Sequence, residues 1–221
     1  MSTSTAPRAA LWDMDGTLLD SAEYHWLAWR DTMAEMGFEI SHEEFIATFG
    51  QRNDTILRGW ISEELTAAEI ARISDIKEAR YRTMVKERGV VLLPGVHEWL
   101  IRLRDAGWRQ AIASAAPRAN VATIIEVLGL ETFFGGYIGA EDVQRGKPDP
   151  QVFQAAAALL GVPAERCVVL EDAPAGVAAG RSAGMRTIGV LTSHPSLDAD
   201  VTVKSLDQLP VDIFDRLIAG S

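Results

Sequence analysis

From residue 94 onward the chain keeps switching between two hydrophobic periods, and this limits its fold more than any other feature. Apolar runs near residues 110–113, 136–138, 167–170 and 187–190 are too short for helices and read as strands. Between them, segments with apolar residues three and four apart read as helices: one from about Val96, one carrying Val121, Ile124, Ile125 and Leu128, one opened by Pro150, and one over 175–183. Gly107, Gly129 and Gly161 stop the first three. Strand–helix alternation of this kind implies a parallel sheet covered on both faces. An earlier apolar run, residues 9–12, ends abruptly at Asp13 and supplies a first buried strand.

The segment after that first strand has a different texture. Ala22, Trp26, Trp29, Met33 and Met36 lie on one helical face. Ser41 with Glu44, and Thr66 with Glu69, have the spacing of capping boxes that open helices. Ile70, Ile73, Met84 and Val85 continue a helical pattern up to Gly89, so residues 22–92 read as helices alone. The expected fold class is α/β: a doubly wound parallel-sheet (Rossmann-like) core, residues 1–21 and 93–221, interrupted by an all-α domain over 22–92.

Composition narrows the function. The 221 residues carry 31 Asp and Glu against 21 Lys and Arg, a formal net charge of −10. Nucleic acid and anionic membrane both require a basic face, so neither is expected as a partner. An anionic substrate would need local positive charge or a metal. Cys167 is the only cysteine, which excludes an internal disulfide and a thiolate zinc cluster. The opening residues 1–8 contain no apolar core of a signal peptide, and no later stretch approaches a membrane span. A cytoplasmic monomer is expected.

Polar groups cluster where the strands end: Asp13 and Asp15, Ser114, Lys147, and Glu171 with Asp172. In an open parallel sheet those ends form the ligand crevice, where sequence-distant groups meet. Asp13-Met14-Asp15-Gly16 places two carboxylates around a sharp bend. At about 4 Å such a pair repels by roughly 4 kcal/mol in an effective dielectric near 20, so a divalent cation or a lysine must offset it. Taken alone, an Asp-x-Asp-Gly turn, an N-cap serine or a loop lysine is ordinary surface chemistry. Their convergence at strand ends favours a site. Ser114 leaves a strand for a helix, where backbone N–H groups suit an anion. Gly146-Lys147-Pro148 holds one cation in a stiff loop. Adjacent Glu171 and Asp172 are costly to bury without neutralisation, and an oxygen-rich set of this kind suits Mg²⁺.

As a set, Asp13-x-Asp15-Gly16-Thr17, Ser114, Gly146-Lys147-Pro148 and Glu171-Asp172-x-x-Ala175-Gly176 resembles the four motifs of the haloacid-dehalogenase superfamily, in that family's order and over essentially the whole chain. The helical insert is similar to its small cap domain. Asp20-Ser21-Ala22-Glu23-Tyr24-His25 with Trp29 resembles the β-phosphoglucomutase-like branch. The resemblance implies that Asp13 is the nucleophile, taking the phosphoryl group as an aspartyl-phosphate, and that Asp15 is the general acid and then the base. It implies that Asp13, Asp15 (through its carbonyl) and Asp172 hold Mg²⁺, with Glu171 beside them. It assigns Ser114, Ala115, Lys147 and Asn120 to the phosphate or substrate.

His25, Trp29 and Arg52 are the candidates for substrate contact from the cap. A histidine on a Trp-rich helix face and a cap arginine are more often packing and surface residues, respectively. The Arg52 loop also departs from the mutase pattern: the arginine is shifted by one place, Phe49 stands where a lysine is expected, and Ala116 replaces a serine in the anion loop. Asp15 argues against dehalogenation, since a leaving halide needs no proton. Three readings remain: hydrolysis of a small sugar phosphate monoester, isomerisation of β-glucose 1-phosphate, and non-catalytic binding of a phosphorylated metabolite. The last is disfavoured by the presence of Asp13, Asp15 and Lys147 together.

Overall fold

A computed structural model describes residues 6–220; residues 1–5, on which the expectation about a signal peptide partly falls, lie outside that range. Strand β1 (Ala9–Trp12) is wholly buried at the centre of the sheet. On one side it pairs in parallel with β2 (Arg109–Ala113), aligning Trp12 with Ile112. On the other it pairs in parallel with β4 (Cys167–Glu171), aligning Trp12 with Leu170. With β3 (Tyr137–Ile138), β5 (Arg186–Val190) and β6 (Val201–Val203), the order is β3-β2-β1-β4-β5-β6. The chain moves outward from β1 through β2 and β3, then returns to the far side of β1 at β4. The direction therefore reverses between β1 and β4, where a doubly wound sheet opens its ligand crevice.

Alternation along β1 divides the core into two layers. Ala10 and Trp12 face α5 (Val96–Asp105), α6 (Arg118–Leu128) and α9 (Ile213–Ala219), packing with Leu100, Ile124 and Phe214. Ala9 and Leu11 face α7 (Gln151–Leu160) and α8 (Pro174–Ser182), packing with Phe153, Ala156 and Ala179. One polar residue enters the first layer at low cost. The Gln110 side chain accepts the Trp12 indole N–H at 3.0 Å and donates to the Leu100 carbonyl at 3.0 Å.

Between β1 and α5 lie four helices: α1 (Ala22–Glu35), α2 (His42–Thr48), α3 (Asn53–Trp60) and α4 (Ala67–Arg88). Both expected capping boxes form, Ser41 with Glu44 opening α2 and Thr66 with Glu69 opening α4. Trp29, Met33, Phe45, Ile56, Leu57 and Ile73 make a separate apolar cluster among these helices. The C-terminal half of α4 leaves that cluster, and its Tyr81 and Val85 join the main core. The chain passes out to the helices and back at neighbouring points, where the Leu93 N–H donates to the Leu18 carbonyl at 2.9 Å.

Two elements are not legible in the sequence. The three residues of β6 are too few to establish a period, and none of them is fully buried. Helix α9 has seven residues and is held by the aromatic packing of Phe214 on Trp99 and Trp108, at centroid distances of 5.0 and 5.4 Å. Among the described residues no helix is long and apolar enough to cross a membrane.

Candidate active site

The register of β1 against β4 brings Asp13 and Glu171 side by side just beyond the paired Trp12 and Leu170, and the Asp13 N–H donates to the Leu170 carbonyl at 3.0 Å. Asp13, Glu171 and Asp172 are all buried. Two glycines make this crowding possible. Gly16 has φ +88°, and a Cβ there would lie 2.1 Å from Asp172 Oδ2. A Cβ on Gly176, in the first turn of α8, would lie 1.8 Å from Glu171 Oε1.

Lys147 closes the cluster. Its ammonium donates to Asp13 Oδ1 at 2.5 Å and to Glu171 Oε1 at 2.6 Å. Burial disfavours its charge, but Asp13 and Glu171 more than compensate and hold Lys147 above the ordinary lysine range. The second Glu171 oxygen accepts the N–H groups of Asp172 and Ala173, each at 2.8 Å. With both oxygens engaged, Glu171 acts as a fixed brace that aims Lys147 at Asp13.

One ammonium among three buried acids leaves excess negative charge. Burial pushes the Asp172 carboxyl up to about 7, and the charge on Glu171 adds to the shift. Burial likewise raises Asp13 well above the usual carboxylate range, although Lys147 opposes it. Oxygens of Asp13, Glu171 and Asp172 lie within 4.8 Å of one another. A hard divalent cation fits this donor set, because it supplies the missing positive charge to carboxylate oxygens. Thr17 Oγ1 donates to Asp172 Oδ1 at 3.3 Å, steadying that carboxylate.

Asp15 faces the helical insert. Its Oδ1 accepts from the Ser21 hydroxyl, lies 3.2 Å from His25 Nε2, and is 3.5 Å from the Tyr81 hydroxyl. Lys77 Nζ lies 2.7 Å from His25 Nδ1. An ammonium against Nδ1 leaves Nε2 to carry the ring proton toward Asp15. Burial pushes the Asp15 carboxyl up, but the His25 imidazole, the Ser21 hydroxyl and the charge on Lys77 together hold it below its ordinary value.

The crevice between insert and core is lined by Asp15, His25, Trp29, Lys77, Glu78 and Ala115 among others, and spans about 410 Å³ including its open mouth. Ser114 is buried at the end of β2, where its hydroxyl accepts the Ala116 N–H at 3.0 Å. Asn120 is engaged with Glu78 rather than with Asp13, Glu171 or Asp172. It donates to Glu78 Oε2 at 2.5 Å and accepts from Arg82 at 2.9 Å, bridging α6 to α4. Arg52 is also engaged elsewhere: Nη1 donates to the carbonyls of Ala140 and Val143, each at 3.0 Å, and Nε pairs with Asp54. The stem of Arg52 covers Gly146, where a Cβ would lie 2.5 Å from Cδ.

The motifs of the sequence do not include Lys77 or Glu78, yet both are buried at the site. A signal is present. Lys77 falls in the apolar stripe of α4, four residues after Ile73 and four before Tyr81, where a solvated lysine has no place.

The family model for haloacid dehalogenase-like hydrolase matches residues 10–190. The β-phosphoglucomutase of Bacillus subtilis is 29% identical over 213 residues, covering 94% of this chain and 93% of that protein. Hexitol phosphatase B of Escherichia coli K12 is 34% identical over 225 residues, covering 95% and 97%. The crystal structure of CbbY from Rhodobacter sphaeroides in complex with xylulose-(1,5)bisphosphate superposes with a TM-score of 0.84 at 26% identity, covering 92% of this chain and 96% of that one. Motifs, sheet order and matches over nearly the whole length agree, and the chain belongs to the haloacid dehalogenase-like hydrolases.

Proposed function

We propose that this protein hydrolyses a small sugar or polyol phosphate monoester through an aspartyl-phosphate on Asp13, under a cap formed by residues 22–92. The observation that carries the reading is the placement of Asp13. It stands at the tip of the central strand against Lys147 at 2.5 Å, with Asp15 two residues on and Asp172 alongside. Phosphoryl transfer depends on positioning and charge neutralisation, and this cluster supplies both.

In the first step an Asp13 carboxylate oxygen bonds to phosphorus as the bond from phosphorus to the sugar oxygen breaks. Asp15 delivers a proton to that leaving oxygen. In the second step water attacks the phosphorus, Asp15 takes the water's proton, and the bond to Asp13 breaks to release phosphate. The Asp15 carboxyl held by Ser21 and His25 is the base form; carrying a proton requires it to leave His25. Positioned acid catalysis of this kind typically contributes about 10²–10⁴ in rate. Lys147 and Ser114, with the N–H groups beyond β2, would hold the transferring oxygens. Mg²⁺ held by Asp13, the Asp15 carbonyl and Asp172 would neutralise the phosphate as the nucleophile approaches.

A second reading, β-phosphoglucomutase, is favoured by the Bacillus relative. It requires a grip on a second phosphate, and the only cap arginine near the expected place, Arg52, is engaged with core carbonyls. A panel of phosphate monoesters with Mg²⁺, including β-glucose 1-phosphate, assayed for free phosphate and glucose 6-phosphate, tests the choice. Free phosphate is expected to dominate. Primer-dependent formation of glucose 6-phosphate in excess of phosphate would make the enzyme a mutase.

A further inference from the structure

Among the described residues that line the crevice, Lys77 is the only lysine or arginine. It is enclosed, with its Nζ 5.1 Å from the Trp29 ring centroid and 5.6 Å from that of Tyr81. Its hydrogens are directed to His25 Nδ1 at 2.7 Å and Glu78 Oε1 at 2.9 Å. Glu78 is in turn fixed from both sides of the cleft: Asn53 donates to Oε1 at 2.8 Å and Asn120 to Oε2 at 2.5 Å. Burial works against its charge, but Lys77, His25 and the two amides hold its carboxyl below the ordinary range, so it stays an anion.

The remaining cations nearby are also engaged. Arg82 donates to Asn120, Arg52 to main-chain carbonyls, and Lys147 to Asp13 and Glu171. A substrate seated with its reacting phosphate at Asp13 would therefore meet paired charges, the amides of Gln51 and Asn53, and the apolar faces of Trp29, Phe45 and Phe49. Ring faces pack against C–H surfaces and amides bond hydroxyls, whereas a second phosphate dianion would meet the carboxylates of Glu78 and Asp15 without a free partner. The CbbY complex contains a bisphosphate, so the fold itself admits one. Exclusion must come from the residues of this crevice.

We propose that Glu78 is a specificity-determining residue: by pairing with Lys77 it denies the crevice a free cation and confines substrates to monophosphates whose remaining body is neutral and hydroxylated. This rests on the hydrolase reading above and adds to it the residue that sets the substrate class. Removing the charge of Glu78 leaves the Lys77 ammonium without a counter-charge in the crevice wall, which converts a repulsive wall into an anion-binding one.

The test compares kcat/KM for a hexose monophosphate that the panel shows to be turned over with that for the corresponding hexose bisphosphate. Wild type is expected to prefer the monophosphate at least tenfold. Glu78→Gln should narrow that preference at least fivefold, through a lower KM for the bisphosphate. Asn120→Ala is the control, because it breaks the bond between α6 and Glu78 while leaving Lys77 paired. It should slow both substrates in parallel and leave their ratio unchanged.

Equal use of both substrates by wild type overturns the proposal without any variant. So does an unmoved ratio in Glu78→Gln, or a ratio that Asn120→Ala shifts as far. Hydrolysis without discrimination removes only the role of Glu78, whereas no phosphate release from any monoester overturns the hydrolase reading on which it stands.

Discussion

Gly176→Ala isolates the brace behind the lysine. By helix propensity alone, alanine in α8 would stabilise the protein by up to about 1 kcal/mol. The structure opposes that gain, because the new Cβ would fall 1.8 Å from Glu171 Oε1 and 1.9 Å from Cδ. Glu171 must then swing away, and the N–H groups of Asp172 and Ala173 lose the oxygen they share. Each buried donor left unmade costs about 1–3 kcal/mol, so the net loss is about 3 kcal/mol after the helix gain. For a chain of this length that corresponds to a fall in Tm of roughly 6–12 °C. Lys147 also loses one of its two carboxylates, so kcat should fall by at least tenfold. Thermal unfolding followed by circular dichroism, with phosphate release on the same preparation, measures both effects. A variant as stable as wild type with unchanged turnover would refute the assignment of Glu171 as the brace.

The site dictates three further outcomes. Asp13→Asn should fold and still lose turnover together with labelling by beryllium fluoride, and near-normal turnover would remove the covalent step. In metal-free protein Asp172 titrates near 7 against 3.8 for an ordinary carboxyl, so the native state binds that proton more tightly than the unfolded state. Stability from this group is full below about pH 4 and declines as pH rises toward 7, with a ceiling of about 4 kcal/mol. Tm should therefore fall between pH 5 and 8, Mg²⁺ should raise it more at pH 8 than at pH 5, and Asp172→Asn should flatten both trends; a pH-independent Mg²⁺ effect would contradict the burial argument. Arg52→Ala should raise KM for monophosphates and bisphosphates alike, since it unpins α3 from the Ala140 and Val143 carbonyls; a loss confined to bisphosphates would place Arg52 on the substrate.

Most of the elements are legible in the sequence because their signals are local. Four residues ending at Asp13, the glycine stops and the two capping boxes each leave a mark within a few positions. The strand-end groups are legible as a set, since parallel strands deliver their C-terminal ends to one edge. The crevice wall is less accessible. Whether Arg52 reaches a substrate or the Ala140 carbonyl depends on a contact 88 residues away. Likewise, Asn120 turns toward Glu78 because α4 crosses α6, which no periodicity encodes. The helical pattern places Lys77 in an apolar stripe but does not name the partner that makes it tolerable there. Strand β6 and helix α9 depend on tertiary packing more than on local pattern.

The central position of β1 has a consequence for how the chain reaches this fold. Its partners lie far along the sequence: Ala9 pairs with Arg109, 100 residues on, and with Cys167, 158 residues on. Contacts of such separation form slowly, because loop-closure entropy precedes any reward. During synthesis at about 5–20 residues per second, the apolar strand that emerges first waits roughly 8–30 s for its second neighbour. The helices of the insert, stabilised mainly by near contacts, can assemble in that interval. The strand that carries Asp13 is thus made first and completed late, which leaves the nascent chain most vulnerable to misassociation before residue 171 has been added.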